Sequence, residues 1–451
     1  MYDLGIDNVI IVSGNFDWRP FVGSVCVRDG RITEVRRTGI AEGDCRERID
    51  GKGKILMPGL FNCHCHGDMT LARGFGDDLT LAEQIAAFGP HNWFRDFITD
   101  EDRYYARQLT YCEALLGGCT FICENMYWGL GERSVQAMTE IGIRGALVED
   151  IRTDFADRDS LLSDKALKEF AEGCRRAGLV PVIGLPAEED WEAESLRRMF
   201  DRLADIDTLQ TMHLAENLWR KEIVLNKFDR RPVEFLSKNG FLHDRLIASH
   251  VVFVDGDEIG MLAEDGVKVA NTPVSEMKIA DGIAPIQEML RRGIPVGLGT
   301  DGAMWNNSND ILAEIKEMSL LHTVNGGIRS LSKKALLDMA TIKGAELFGL
   351  QDRTGSIREG FRADFILIDG NKPHLQPLVL GENENICSAL VYGASAGDVS
   401  DVFIEGKHLV REGIIANVDI SVIVERVRET TERIAGKVRH PDGRQHQRSV
   451  T

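Results

Sequence analysis

The chain of 451 residues has the composition of a folded protein, with 43% hydrophobic and 27% charged residues. Its 53 basic and 71 acidic side chains give a formal net charge of -18, which disfavours binding to nucleic-acid phosphates. No apolar run reaches the roughly 18 residues of a membrane span, and acidic residues near the start argue against a secretory signal. Nine scattered cysteines suit reduced thiols, so we expect a cytoplasmic protein.

Both ends of the chain are predicted to form short strands separated by turns that contain glycine. Neither end has helical periodicity, so we expect residues 1–57 and 355–416 to form one small β-sandwich domain. The predicted strands are Asn8–Val12, Ser24–Val27, Arg31–Val35, Asp364–Ile368, Asp401–Glu405 and Lys407–Val410.

Between these ends, apolar runs alternate with segments of helical period such as Asp102–Leu116, Ile283–Arg292 and Asp310–Leu321. Near-continuous apolar runs are typical of parallel strands buried on both faces. Eight β-then-α units favour a (β/α)8 TIM barrel over residues 58–354, with a doubly wound open sheet as the alternative. A helix over roughly Asp419–Lys437 and a polar tail complete residues 417–451. The eight predicted strands are Ile55–Cys63, Thr120–Glu124, Arg144–Asp150, Val180–Leu185, Leu209–Leu214, Leu246–Val251, Val267–Asn271 and Pro295–Thr300.

Four of these eight strands end in residue types that bind metals or transfer protons. The carboxyl ends of barrel strands meet on the face where barrel active sites lie, so we expect these side chains to converge. Strand one leads into His64 and His66, strand five into His213 and Glu216, strand six into His250 and strand eight into Asp301.

Imidazole and carboxylate together suit zinc or ferrous iron. Three histidines and one aspartate leave a position for a water molecule, whose pKa the metal lowers to about 7. Glu216 is close enough in sequence to His213 to act as a proton shuttle. A single strand histidine is more often structural, but the pair His64 and His66 favours a metal. The run Cys63–His66 also suggests a zinc knuckle, which would need a second Cys/His pair nearby.

Several motifs resemble those of the amidohydrolase superfamily. Pro58–His66 (PGLFNCHCH) is similar to its PGxxNxHxH opening, His213–Glu216 to its HxAE element and Gly299–Gly302 to its closing TDG. The segment Asn271–Ile286 resembles the branch that contains S-adenosylhomocysteine and methylthioadenosine deaminases and triazine chlorohydrolases. The resemblance extends from about Asn8 to Gly413, which is nearly the whole chain.

The resemblance implies a site for one divalent metal, with Zn2+ favoured and Fe2+ as the alternative. Strand four contains no lysine, which disfavours the two-metal chemistry of hydantoinases. In the implied reaction, metal-activated water attacks a ring carbon that bears an amino group, a neighbouring ring nitrogen is protonated and ammonia leaves. The implied metal ligands are His64, His66, His213 and Asp301; the implied catalytic residues are Glu216, His250 and Asp301.

Nucleoside deaminases of this branch carry a ribose-binding glutamate after strand one and a histidine after strand four. This chain has His91–Trp93 and Leu185–Asp190 at those places. The acidic and aromatic residues around them can accept hydrogen bonds from N–H groups and stack on flat rings. We therefore predict a planar, amino-rich heterocycle such as a pterin, purine, pyrimidine or s-triazine; the alternative is solvated acids and packing tryptophans. The candidate substrate-binding residues are Trp93, Glu124, Trp128, Asp150, Glu188 and Trp305.

Two other functions fit less well. The same machinery would serve a triazine-type chlorohydrolase or alkylaminohydrolase, because nothing in the motifs separates the leaving groups. A non-catalytic amidohydrolase-like scaffold is more remote, because such scaffolds usually lose their metal ligands. The expected partners are a small heterocyclic substrate and further copies of the chain, with neither nucleic acid nor membrane.

Overall fold

The structure, a computed structural model, describes residues 1–14, 19–88, 97–125, 131–153, 157 and 160–435. The described strands form two sheets. The strands of the small sheet are Tyr2–Ile11, Phe21–Arg28, Arg31–Arg36, Cys45–Asp50, Lys54–Pro58, Phe365–Asp369, Val399–Ile404, Lys407–Arg411 and Ile414–Ile415. Those of the other sheet, numbered barrel strands 1 to 8 in chain order, are Leu60–His66, Cys119–Asn125, Arg144–Asp150, Val180–Gly184, Leu209–Leu214, Leu246–His250, Lys268–Asn271, and Val296–Leu298 with Asp301–Gly302.

The helices lie between and after the barrel strands. The described α-helices are Leu81–Phe88, Asp100–Leu116, Gly131–Ile141, Asp164–Arg176, Ala193–Ala204, Leu218–Phe228, Pro232–Lys238, Gly256–Glu264, Pro273–Lys278, Ile286–Arg291, Ala303–Asn306, Ile311–Gly326, Lys333–Met339, Ile342–Leu347, Ile386–Tyr392 and Ile420–Ala435. Short 3-10 helices occupy Gly67–Ala72, Glu188–Asp190, Pro373–Leu375 and Ala396–Asp398.

The barrel closes through its eighth strand. All its neighbouring strands are parallel, and the path runs from Val296–Leu298 around to Leu60–His66 and then to Asp301–Gly302. The first and last members of this path, Val296–Leu298 and Asp301–Gly302, are successive parts of barrel strand 8, so the sheet closes on itself. Gly299 donates its N–H to the Asn271 carbonyl (2.9 Å) on one side. This closure confirms the predicted TIM barrel.

The prediction of one strand over Ile55–Cys63 is wrong. Lys54–Pro58 belongs to the small sheet, where it pairs with Tyr2–Ile11 and Phe365–Asp369, whereas the barrel begins at Leu60. Gly59 lies between the two strands, and a Cβ atom at that position would be 2.1 Å from the Thr120 hydroxyl oxygen. The chain passes from one sheet to the other at this position. The position is a glycine because a larger residue would clash with Thr120.

The small β domain is built from both ends of the chain, as predicted. Lys54–Pro58 from the first part of the chain lies beside Phe365–Asp369 from the last part, in antiparallel register. Its core contains buried side chains from both parts, among them Ile6, Val25, Phe365 and Phe403. The domain therefore joins residues that are more than 300 positions apart.

The last described helix, Ile420–Ala435, buries Ile423, Val427 and Ile434. It lies against the helix Asp100–Leu116, where the Thr430 hydroxyl donates to Asp102 Oδ1 at 2.7 Å. The predicted polar tail lies outside the described residues. Within the described part of the chain, no helix combines the length and apolar character needed to cross a bilayer.

Candidate active site

Barrel strand 1 carries two of the predicted ligands on the same face. His64 and His66 are both about 1% exposed. The register of this strand against barrel strand 2 shifts between Asn62 and Cys65, so the strand is irregular where the histidines lie. The irregularity turns the two imidazoles toward the barrel axis, where ligands from other strands reach them.

Five predicted residues converge at the carboxyl ends of barrel strands 1, 5, 6 and 8. Two overlapping groups of three residues offer metal-ligand atoms. Within each group, these atoms all lie within 4.8 Å of one another. His66 Nε2 is 3.3 Å from His213 Nε2 and 3.5 Å from Asp301 Oδ1, and His64 Nε2 is 3.7 Å from the same oxygen. The groups are His64, His66 and Asp301, and His64, His213 and His250.

Neighbouring groups orient the imidazoles of barrel strand 1. His66 Nδ1 lies 3.1 Å from the Asn125 carbonyl, which only accepts, so Nδ1 carries the proton and Nε2 faces the site unprotonated. His64 Nδ1 contacts the Ser249 hydroxyl at 2.9 Å, while its buried Nε2 has no hydrogen-bond partner among the described residues. A buried nitrogen of this kind is costly unless a cation satisfies it, so the donor set fits one divalent metal.

The pKa shifts favour the protonation states that ligate a cation. Burial lowers the pKa of His66 to about 3, and it also lowers the pKa values of His64 and His213. Burial alone would raise the pKa of Asp301, but the neighbouring imidazoles hold it below its usual range. The histidines are therefore neutral and Asp301 is ionised near neutral pH.

His250 lies between two carboxylates. Its Nε2 is 3.7 Å from Glu216 Oε1, and its Nδ1 is 3.6 Å from Glu276 Oε1 and 2.9 Å from the Thr272 hydroxyl. Burial lowers the pKa of His250, but Glu216 and Glu276 outweigh burial and raise it to about 9. Both His250 (φ 70°) and Asp301 (φ 62°) have left-handed backbones, a strained conformation for these residues that is common at active sites.

Sequence reasoning missed Arg220, which fixes the carboxylate of Glu216. Arg220 lies on the helix Leu218–Phe228 and forms a short hydrogen bond to Glu216 Oε2 through Nη1. Its Nε and Nη2 bind the two oxygens of Glu189 at 2.7 and 2.6 Å. The short spacing between Glu216 and Arg220 was the available signal, because Glu216 directly precedes the N-cap Asn217 and Arg220 lies in the first turn of that helix.

Two of the predicted substrate-binding acids are in buried ion pairs. Glu124 lies 3.2 Å from Arg107 Nε, and both its oxygens are 3.0 Å from the Gly67 N–H. Asp150 binds Arg152 through both oxygens at 3.1 Å. These contacts account for both carboxylates without a substrate.

The other predicted substrate-binding residues have different surroundings. Glu188 is fully buried and accepts a hydrogen bond from the Ala215 N–H, while its second oxygen has no partner among the described residues. Trp305 is buried, with its ring centroid 5.4 Å from that of His66. Trp93 and Trp128 lie outside the described residues.

Known proteins are similar in sequence to this chain over nearly its whole length. A 5-methylthioadenosine/S-adenosylhomocysteine deaminase of Desulforudis audaxviator is 33% identical over 95% of this chain and 98% of its own. A 5'-deoxyadenosine deaminase of Methanopyrus kandleri is 36% identical over 91% and 95%.

Two solved structures have the same fold. An adenosine deaminase from Xanthomonas campestris with bound zinc is 26% identical, with a TM-score of 0.86 over 96% of this chain and 98% of its own. A zinc complex of an atrazine chlorohydrolase from Arthrobacter aurescens has a TM-score of 0.84 and 23% identity, over 95% of this chain and 100% of its own. The model of the amidohydrolase family matches residues 55–409. The chain belongs to the amidohydrolase family.

Proposed function

We propose that this protein is a metal-dependent hydrolytic deaminase of an amino-substituted N-heterocycle such as a purine, pterin, pyrimidine or s-triazine. The main observation is the convergence of histidine imidazoles and the Asp301 carboxylate on one buried point, where His64 Nε2 has no hydrogen-bond partner from the part of the chain that the structure describes. The curated relatives that are named deaminases support the same reaction class. Their named substrates are therefore the first compounds to test.

The metal ligands in this proposal are His64, His66, His213 and Asp301. We propose zinc rather than iron because three imidazoles and one carboxylate match the N and O ligands of zinc sites, although ferrous iron accepts the same set. When bound, the metal supplies Lewis-acid activation of a water molecule.

The chain's own groups handle the protons. Asp301 faces the metal-binding point and is ionised, so it can accept the proton that the attacking water loses. His250 can take over this role only in its neutral form, because its pKa of about 9 keeps it protonated near neutral pH. Glu216 delivers a proton to the ring nitrogen next to the attacked carbon. The water oxygen forms a bond to that carbon, and its remaining proton passes to Glu216, which thereby regains the proton it gave up. The proton held by Asp301 passes to the amino nitrogen, the bond from that nitrogen to the ring carbon breaks, and ammonia leaves. Arg220 keeps the Glu216 carboxylate in place.

The test is ammonia release by the zinc-loaded and iron-loaded protein. The panel contains S-adenosylhomocysteine, 5'-methylthioadenosine and 5'-deoxyadenosine, together with aminated pterins, pyrimidines and s-triazines. We expect release from at least one compound and a roughly 1000-fold loss in Asp301→Asn, because that change removes both a ligand and a proton acceptor. Metal content, measured in parallel, is expected to fall in the same variant.

Asp352→Asn is the matched control, because Asp352 is an exposed carboxylate. This variant is expected to keep wild-type metal content and activity. A protein that holds one metal per chain but releases no ammonia from any compound contradicts the proposal. Release of chloride or alkylamine from substituted triazines would then identify a different leaving group.

A further inference from the structure

Asp281 is a buried acid that sequence reasoning did not select. It follows the helix Pro273–Lys278, where its N–H donates to the Glu276 carbonyl at 2.9 Å. The side chain belongs to a residue that is only 7% exposed, and its Oδ2 has no hydrogen-bond partner among the described residues. Ala280 before it has a left-handed backbone (φ 58°), which is unusual for alanine.

The Asp281 carboxyl group lies among the proton-transfer residues of the candidate active site. Glu276, whose carbonyl accepts from the Asp281 N–H, lies 3.6 Å from His250 through its carboxylate. A Cβ atom at the adjacent Gly282 would lie 2.9 Å from Val252, two residues after His250.

Burial is the main reason that the pKa of Asp281 rises to about 8, and the negative charge of Glu216 raises the pKa further. Among the described residues Arg220 makes no hydrogen bond to Asp281 and donates instead to Glu189 and Glu216.

Two other buried acids near the helix Pro273–Lys278 have hydrogen-bond partners. Glu276 accepts from Asn271 Nδ2 at 2.7 Å, and Glu314 accepts from the Val274 N–H at 3.1 Å and also from the side-chain amide of Asn306. A buried carboxyl oxygen without a partner destabilises the folded protein. Such a group is retained where a ligand supplies the missing hydrogen bond.

We propose that Asp281 recognises the substrate by accepting a hydrogen bond from an N–H group of the heterocycle other than the amino group that leaves. This inference rests on the proposed deaminase function and narrows its substrate class. The substrate then carries a second amino group besides the one that leaves.

The test compares pairs of compounds that differ by one amino group, using the zinc-loaded protein. The pairs are adenine and 2,6-diaminopurine, adenosine and 2-aminoadenosine, and 2-amino- and 2,4-diamino-1,3,5-triazine. For the pair that is hydrolysed, we expect kcat/KM to be at least about tenfold higher for the diamino compound. Asp281→Leu has a similar volume but no acceptor. We expect it to reduce the ratio of kcat/KM, diamino over monoamino, to within about threefold of one, mainly by raising KM for the diamino compound.

Asp281→Asn retains a carbonyl acceptor in a side chain of the same shape and is expected to keep the ratio within about threefold of the wild-type value. Asp364→Asn is the control for burial, since Asp364 is a buried acid of the small domain with a hydrogen bond from Thr354 at 2.8 Å. It is expected to lower the thermal midpoint without changing the ratio. An equal ratio in wild type and Asp281→Leu overturns the inference while the deaminase function stands.

Calorimetric binding separates this inference from the proposed function if no compound is hydrolysed. The dissociation constants of 2,6-diaminopurine and 2,4-diamino-1,3,5-triazine are then measured for wild type and Asp281→Leu. At least tenfold weaker binding of one of them to the variant supports recognition by Asp281 even though deamination has failed. Equal binding, or binding of neither compound to wild type, overturns the inference as well.

Discussion

To deliver a proton to the ring nitrogen, the Glu216 carboxylate must keep one orientation, and Arg220 holds it in that orientation. Arg220→Met removes the cation and leaves Glu216 and Glu189 without their shared partner in a buried place. We expect kcat to fall about 100-fold, which is the range for losing general acid–base catalysis. Steady-state kinetics on the identified substrate, together with metal content, measure this effect. Metal content is expected to stay at the wild-type level.

Arg231→Met is the matched control for Arg220→Met. Arg231 binds the buried Glu258 at 2.6 Å, so its loss also leaves a buried acid without its cation, but on a different helix pair. We expect lower stability and a kcat within about twofold of wild type. If both variants lose kcat equally, Arg220 affects activity only through stability.

The predicted ligands could be located from the sequence because barrel topology brings strand ends together. His64, His213 and Asp301 each lie at the end of an apolar run. Once eight such runs were assigned to a barrel, the convergence of the three residues followed. Asp281 and Glu276 follow no strand end, and their placement depends on how the helix Pro273–Lys278 packs across the site. Sequence spacing does not carry that information.

At the scale of elements, the eighth barrel strand packs closely against the first. A Cβ atom at Gly299 would lie 2.8 Å from the backbone nitrogen and oxygen of His64. Gly299→Ala therefore has to move barrel strand 1 and with it His64 and His66. We expect about 1–3 kcal/mol lower stability and at least tenfold weaker zinc binding, because the ligands lose their alignment. Competition with a chromogenic zinc chelator measures the affinity.

Gly173→Ala is the control glycine substitution. Gly173 lies in the helix Asp164–Arg176, where an added Cβ would meet only the Arg176 side chain at 3.9 Å. Alanine is the better helix former, so this variant is expected to gain up to about 1 kcal/mol of stability. Unchanged zinc affinity in Gly299→Ala would show that the close approach of strands 1 and 8 does not position the ligands.

Element types were more predictable than element boundaries. The eight parallel strands gave clear apolar runs, since they are buried on both faces. The run Ile55–Cys63 concealed two strands in different sheets, because both are buried and apolar and only Gly59 separates them. The strand Cys45–Asp50 was not predicted, because half of its residues are exposed and its sequence is largely charged.

At the scale of the whole molecule, an ion pair links the first and last parts of the chain. Lys54 Nζ is 2.8 Å from Asp401 Oδ2, and His408 Nε2 is 2.8 Å from Asp401 Oδ1. Burial raises the pKa of Asp401, but the contacts to His408, Lys54 and Ser400 outweigh burial and hold it below its usual range. An acid with a lowered folded-state pKa stabilises the protein above its unfolded-state pKa of about 4, and this stabilisation is lost as pH falls.

Asp401→Asn is therefore expected to lower the thermal midpoint by about 5 °C at pH 7, with a smaller difference from wild type below about pH 4. Differential scanning calorimetry across this pH range measures the effect. Glu425→Gln, which breaks an exposed pair with Arg428, is the control and is expected to change little at any pH. A deficit in Asp401→Asn that is independent of pH would assign the effect to packing instead.

The joining of both chain ends in the small sheet affects the order of events during synthesis. Lys54–Pro58 leaves the ribosome early, but its neighbour Phe365–Asp369 follows only after roughly 300 further residues. At about 5–20 residues per second this interval lasts roughly 15 to 60 s. Throughout it, the nascent chain presents an unpaired apolar strand edge of the kind that pairs with other chains. The first 58 residues are therefore the segment that most needs shielding by a chaperone until translation has passed residue 369.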